Sequence, residues 1–134
     1  MWNLLYSHKL SNNSNAREYV VLRISSPPDQ SCVITDLRKF RGTRALRVGA
    51  SLLPNELEWV YKCAEERTND EMTSDLRQLF ISFAHDSLYL TVKKVDGSEQ
   101  KIIINKERFE LFMAQKEAVY EVITKELQNH VEIK

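Results

Sequence analysis

Residues 37–48 read LRKFRGTRALRV and predict a strongly basic β-hairpin. The apolar residues alternate as they do in a strand, and Gly42 can supply the positive φ of a tight turn. Five of the twelve residues are Lys or Arg, and Phe40 lies among them. Because phosphates bind fixed positive charge and exposed bases stack on flat rings, the hairpin is a candidate surface for unpaired nucleic acid. The alternative is a solvated hairpin whose charges only maintain solubility.

The sequence on both sides of this hairpin predicts a sheet followed by a helix. Apolar and β-branched residues recur between polar or proline-containing turns, and they predict strands over residues 1–7, 19–25, 31–37 and 43–50. Pro54 suits the first turn of a helix, and the apolar period over residues 54–67 indicates that this helix is amphipathic. Residues 7–16 are expected to form a loop, and residues 68–74 a polar linker.

Alternation within the strands assigns side chains to two faces of the predicted sheet. Those expected to face the core are Val20, Leu22, Ile24, Leu46 and Val48. Those expected on the opposite face include Tyr19, Arg23, Ala45 and Arg47. Because one face of an antiparallel sheet can remain in water, these aromatic and cationic side chains are available for binding.

A second set of strands followed by a helix is predicted in the rest of the chain. Strands are expected over residues 79–84, 87–94 and 99–104, with a hairpin turn at Asp96-Gly97. Asn105 is a good N-cap for one long helix over residues 106–127, which would span roughly 33 Å. Its expected apolar stripe consists of Phe109, Phe112, Met113, Tyr120, Ile123 and Leu127.

These patterns together predict an α+β fold built from two strands-then-helix repeats. The expected units are residues 1–70 and 71–134, which form either one compact domain or an intramolecular pseudo-dimer. Each would contain an antiparallel sheet with helices packed on one face. A chain of 134 residues is long enough to form one shared hydrophobic core.

The charge of the chain is zero overall but unevenly distributed. Residues 1–50 carry eight Lys or Arg against three Asp or Glu, a net charge of +5, and residues 51–134 carry eleven against sixteen, a net charge of −5. Such asymmetry indicates that one surface meets an anionic partner. The alternative is that acidic helices simply lie beside basic strands.

The sequence gives no signature of a metal site, a cofactor or a membrane segment. Cys32 and Cys63 form no CxxC pair, and no histidine lies at ligand spacing from a cysteine, so neither metal nor cofactor is expected. This cysteine usage favours a reducing, intracellular compartment. Residues 1–6 are apolar but too short to span a membrane, and no membrane partner is expected.

The basic hairpin and the residues after it resemble the transcriptional positive-coactivator-four family. Arg38-x-Phe40-Arg41-Gly42 matches an R-x-F-K-G hairpin, and SLLPNELEW at residues 51–59 matches an S-L-x-P segment that opens a helix carrying a Trp. The repeated layout is similar to the Whirly and purine-rich-element-binding proteins. The resemblance implies curved antiparallel sheets that bind single-stranded DNA or RNA in transcription, replication or nucleic-acid maintenance. A nuclear location is favoured over a cytoplasmic one, and mitochondrial and viral settings stay open.

The resemblance also implies which residues bind. Phe40, Arg41 and Arg38 occupy family positions, and Arg44 or Arg47 would supply a phosphate contact. The second hairpin has no F-K-G and offers lysines instead. Together with the outward side chains of the two sheets, the candidate nucleic-acid-binding residues are Arg38, Lys39, Phe40, Arg41, Arg44, Arg47, Arg23, Tyr89, Lys93, Lys94 and Lys101.

Two other classes of function are considered. In the first, the same fold is a protein-interaction module that forms a homodimer or holds a protein partner through the helix at residues 106–127, without binding nucleic acid. In the second, the protein is an enzyme. No Ser/His/Asp or Cys/His grouping has a recognisable local signature and no glycine-rich phosphate loop occurs, so catalysis is not expected.

Overall fold

The computed structural model describes residues 1–132 except residues 12, 14 and 30. Within this part of the chain it has an α+β fold with two four-stranded antiparallel sheets and three helices. The last two residues of the predicted second unit, 133 and 134, lie outside the described residues. The boundary expected after residue 70 falls at the start of a strand, and the division into two units stays a prediction.

The first sheet has the strand order β1-β2-β3-β4. Its strands are β1 (Asn3–Leu10), β2 (Glu18–Ser26), β3 (Ile34–Arg41) and β4 (Arg44–Leu52). Helix α1 (Pro54–Glu66) follows, with Pro54 at its first turn as expected. Glu56 in the first turn accepts a hydrogen bond of 2.8 Å from the backbone N–H of Leu53, and this bond satisfies a donor that the helix leaves free.

The second sheet has the strand order β5-β6-β7-β8. Its strands are β5 (Asp70–Thr73), β6 (Arg77–Ala84), β7 (Ser87–Lys94) and β8 (Glu99–Ile104). Two helices follow, α2 (Lys106–Ala114) and α3 (Lys116–Glu132). The Asn105 side chain accepts a hydrogen bond of 3.1 Å from the N–H of Arg108, which confirms the predicted N-cap.

Each sheet buries one face, and both contribute to a single hydrophobic core. Val20, Leu22 and Ile24 of β2 are fully buried, as their alternation predicts. On β7, the buried residues are Leu88, Leu90 and Val92. Tyr61 of α1 stacks on Phe112 of α2 at 4.3 Å between ring centroids, so the core joins helices that are far apart in the sequence.

The N-terminal strands are longer than predicted. Strand β1 continues to Leu10, where a loop was expected from residue 7, because His8 and Leu10 pair with Leu22 and Val20 of β2. Strand β3 runs to Arg41, so only Gly42 and Thr43 form the turn, and Gly42 has a φ of +62°. Phe40 therefore lies in a strand rather than in the turn.

Strand β4 has a β-bulge that moves two predicted core residues. Arg38 of β3 faces Gly49 and Phe40 faces Ala45, so four residues of β4 span the same length as two residues of β3. Val48 is 45% exposed and Leu46 is half-buried, so the prediction that both face the core is wrong. The bulge breaks the simple alternation on which that prediction depended.

Strand β5 occupies the segment that was expected to be a polar linker. Residues Asp70–Thr73 pair with β6, with Asp70 opposite Ile81 and Thr73 opposite Gln78. The sequence Asp-Glu-Met-Thr has little intrinsic preference for a strand, so the pairing comes from the neighbouring strand rather than from local propensity.

The predicted long helix is instead two helices that meet at Gln115. This residue has φ −87° and ψ −6°, its N–H is bonded at the end of α2, and its carbonyl accepts from the N–H of Val119 at 2.9 Å. The Tyr61 hydroxyl donates to the Phe112 carbonyl at 3.0 Å, and the Tyr6 hydroxyl donates to the side chain of Gln115. These tertiary contacts hold a break that the local sequence does not require.

The apolar stripe of these helices is used within the chain. Phe109, Phe112 and Ile123 are buried in the core, and so is Val119. Of the predicted stripe, Leu127 is 40% exposed. Met113 and Tyr120 of the stripe are half-buried, and a partner held through these helices stays a prediction.

Candidate functional site

The solvent-facing side of the first sheet brings several of the predicted binding residues together. Strand register places Tyr19 and Arg23 of β2 on the same side as Phe40 of β3, opposite the side that carries Val20 and Leu22. We call this side the outer face. Its other members on the neighbouring strands include Leu4, Lys9, Asp36, Arg38, Arg47 and Ser51, and Trp2 adjoins them just before β1.

A stacked pair of rings lies at one end of the outer face. Tyr19 and Phe40 are directly opposite each other in the β2–β3 pairing, with ring centroids 5.8 Å apart and an angle of 11° between the rings. Lys9 places its Nζ 4.1 Å from the Tyr19 centroid, and the Arg23 guanidinium lies 5.2 Å from the Phe40 centroid. We call these four residues the aromatic platform.

The platform is held in place by contacts at both ends. The Tyr19 hydroxyl donates to the carbonyl of Gly42, and this bond fixes the ring against the hairpin turn. Arg23 donates from Nη2 to Oδ2 of Asp36 at 2.8 Å. These two hydrogen bonds set the positions of the Tyr19 ring and the Arg23 guanidinium relative to Phe40.

Asp36 is a carboxylate surrounded by donors. Its oxygens accept two hydrogen bonds from Arg38, at 3.0 and 3.3 Å, one from Arg23, and one from the Ser51 hydroxyl at 3.1 Å. Burial opposes ionisation, but the hydrogen bonds from Arg38 and Arg23 outweigh it, so the pKa of Asp36 is lowered. The negative charge of Asp36 is thus committed to its neighbours.

Arg38 organises the bulge of β4. Its side chain is 19% exposed and its Nη1 donates to the carbonyls of Leu46 and Arg47 at 3.3 and 3.2 Å. The guanidinium lies against Gly49, where a Cβ would be 2.8 Å from its Cζ and 2.6 Å from the carbonyl oxygen of Leu37. Only glycine leaves room for this contact. The sequence predicted Arg38 to bind nucleic acid, which stays a prediction; in the structure its guanidinium bonds to Asp36 and to two carbonyls of the bulge.

Beside this arginine, the outer face contains a trough of about 650 Å³. Apolar walls are formed by Trp2, Leu4 and Ile34 on one side and by Leu46 of the bulge on the other. Arg47 lies at the rim and is exposed. Trp2 and Lys9 were not among the predicted site residues. Lys9 was missed because the segment after residue 7 was interpreted as a loop.

The remaining cations of the basic hairpin lie elsewhere. Lys39 and Arg41 alternate with Phe40 and both pair with Glu18, at 3.1 and 3.5 Å. The hydrogen bond from Lys39 is the main reason that the pKa of Glu18 is lowered. Arg44 is exposed opposite Arg41, next to the turn. The hairpin therefore divides its charge between two faces of the sheet.

The second sheet brings together fewer of the predicted residues. Tyr89, Lys93 and Lys101 share its exposed face, whereas register places Lys94 on the other side, opposite Arg77. Both Lys93 and Lys101 pair with Glu99, at 3.6 and 3.5 Å. The residues predicted in the two halves thus belong to two separate sheets.

Phe80 is a further aromatic residue on the exposed face of the second sheet that the sequence analysis missed. It lies opposite Thr91 on β7, and the Nζ of Lys93 is 5.3 Å from its ring centroid. The alternation of β6, in which Leu79 and Ile81 are buried, is the signal that could have placed it.

The described part of the chain also bears on the requirements of a metal site and of a membrane-spanning helix. No group of three His, Cys, Asp or Glu residues there could hold a metal ion. Among the same residues, no helix has the length and apolar character needed to cross a membrane. Cys32 and Cys63 are both free thiols.

No protein-family model, no curated protein and no solved structure matches this chain.

Proposed function

We propose that this protein binds single-stranded nucleic acid on the outer face of its first sheet. The observation that carries the proposal is the aromatic platform, in which Tyr19 and Phe40 stack between the cations Lys9 and Arg23. Rings supply faces for bases and cations supply charge for phosphates, and the platform combines both on one open sheet.

The proposal favours a single strand over a duplex. Bases in a duplex are already stacked on each other, so their faces are not available to Phe40, whereas an unpaired base can take the place of the Arg23 guanidinium on the Phe40 ring. Stacking on an aromatic side chain contributes about 1–3 kcal/mol per base and is tolerant of sequence. Lys9, Arg23 and Arg47 on the same face are placed to contact the backbone of such a strand.

The proposal extends to the evolutionary layout of the chain. We propose that residues 1–70 and 71–134 are two versions of one strands-then-helix unit, since each contains four antiparallel strands followed by helical segments. The first unit carries the coactivator-like hairpin and the platform. A nuclear role in transcription, replication or nucleic-acid maintenance is part of the proposal and rests on the family resemblance alone.

Phe40→Ala tests the proposal most directly. The substitution removes the ring and leaves the charge unchanged, so affinity for a fluorescein-labelled single-stranded oligonucleotide is expected to fall about 5- to 150-fold, equivalent to 1–3 kcal/mol. Fluorescence anisotropy with single strands and with a duplex of the same sequence gives the affinities. Phe40→Tyr keeps the ring and should retain most of the affinity.

The proposal of single-strand binding is rejected if the wild-type protein binds neither DNA nor RNA single strands at low salt, or if it prefers the duplex. Equal affinities of Phe40→Ala and wild type, with circular dichroism showing both folded, would move the binding surface away from the outer face.

A further inference from the structure

The trough on the outer face adjoins the aromatic platform and shares Arg23 with it. Along β3, Asp36 at the trough lies four residues from Phe40, about 13 Å at 3.3 Å per residue. Trp2 and Leu4 in the trough wall are 54% and 62% exposed, which is unusual for large apolar side chains placed side by side. A base stacked on Phe40 would leave these two residues uncovered.

The chemistry of the trough selects a flat ligand with an anionic group. Its walls are apolar, while the charged groups around it are the guanidinium groups of Arg23, Arg38 and Arg47 and the carboxylate of Asp36. That carboxylate already accepts four hydrogen bonds, which uses its lone pairs, so it offers little to a ligand. The volume of about 650 Å³ is typical of pockets for small organic groups.

We propose that the trough receives one unpaired base of the bound strand, with Trp2 stacked on the base and Arg47 contacting its phosphate. This inference rests on the proposed function and gives it a second contact point beyond the platform. An acidic peptide would satisfy the arginines but has no planar ring to cover Trp2 and Leu4, so a nucleotide fits the combined surface better.

Trp2 itself reports on this proposal. The sequence has two tryptophans, and Trp59→Phe leaves Trp2 as the single tryptophan, which is excited selectively at wavelengths that tyrosine does not absorb. Trp59 lies on α1, where its indole N–H donates to Asp70 at 3.1 Å, so its replacement does not touch the outer face. In this variant, a single-stranded oligonucleotide is expected to quench the emission. A sugar–phosphate strand of the same length without bases should leave the emission unchanged.

Affinity provides the second measurement. Trp2→Ala should lower affinity for the base-bearing strand at least about 5-fold, as expected for one lost stacking contact, and should change affinity for the abasic strand less than twofold. Unchanged Trp2 emission with a strand that anisotropy shows to be bound would overturn the trough assignment while leaving the proposed function intact. Complete absence of strand binding would overturn both. Equal quenching by a poly-glutamate peptide would reassign the trough to a protein ligand.

Discussion

At the scale of a single residue, Asp36→Asn distinguishes a positioning role of Asp36 from a purely electrostatic one, because the two roles predict opposite changes in oligonucleotide affinity. If net charge alone controlled binding, removing a carboxylate from a surface that meets phosphates would strengthen it. Asp36, however, orients Arg23 beside Phe40 and Arg38 beneath the bulge. Asp36→Asn is therefore expected to weaken oligonucleotide binding at least twofold, and to lower the free energy of unfolding by about 1–3 kcal/mol.

The same substitution has a defined pH dependence. Because the pKa of Asp36 is lowered in the folded state, its contribution is complete above the ordinary carboxyl pKa of about 4 and is lost as the pH falls through the lowered value. The difference in unfolding free energy between wild type and Asp36→Asn should thus be present at pH 7 and shrink at pH 3. Asp96→Asn, in the turn of the second sheet, removes the same charge and should not weaken binding.

At the scale of elements, the basic hairpin places two arginines on opposite faces of the first sheet. Arg47 lies at the rim of the trough, and Arg41 pairs with Glu18 on the other side of β3. Arg47→Ala should reduce the slope of log affinity against log salt concentration by about 1, whereas Arg41→Ala should leave it nearly unchanged. Anisotropy titrations at several salt concentrations measure both slopes. An equal reduction of the salt slope in the two variants would show that the face of the sheet on which an arginine lies does not decide whether it contacts the nucleic acid.

Elements with a strong local signal were predictable, and those fixed by distant contacts were not. Strands β7 and β8 have the bounds expected from alternation and the Asp96-Gly97 turn, and Pro54 and Asn105 mark two helix starts. The break at Gln115 was missed because it depends on Tyr6 and Tyr61, which no local pattern reveals. The bulge of β4 depends in turn on Arg38 bonding to carbonyls eight and nine residues away.

The candidate site shows the same division. Alternation placed Tyr19 and Arg23 on one face, and the basic hairpin drew attention to Phe40. Their assembly into a stacked pair between two cations depends on strand register, which also brings in Lys9 from β1. Register is set by the whole sheet, so a single strand pattern could not reveal it.

At the scale of the whole molecule, the Tyr61–Phe112 stack predicts that both sheets unfold together. Phe112→Ala leaves a cavity where α1 meets α2 and should lower the free energy of unfolding by about 3–5 kcal/mol. Urea denaturation followed by circular dichroism and by tryptophan emission should give one coincident transition in wild type. Leu127→Ala on the exposed part of α3 serves as the control and should cost much less. Two separate wild-type transitions would contradict a single shared core.

The outer face of the first sheet is open to solvent, and this has a consequence for any nucleic-acid strand that binds to it. If a nucleic-acid strand binds as proposed, the sheet would cover one side of it, because the core and the helices of the described residues pack against the other face of the sheet. The side of the nucleic acid that faces away from the sheet would remain accessible to a complementary sequence or to another protein while the nucleic acid is still bound. A protein that encloses its nucleic acid in a channel must release it before another molecule can bind it. An open sheet face allows the second molecule to bind first.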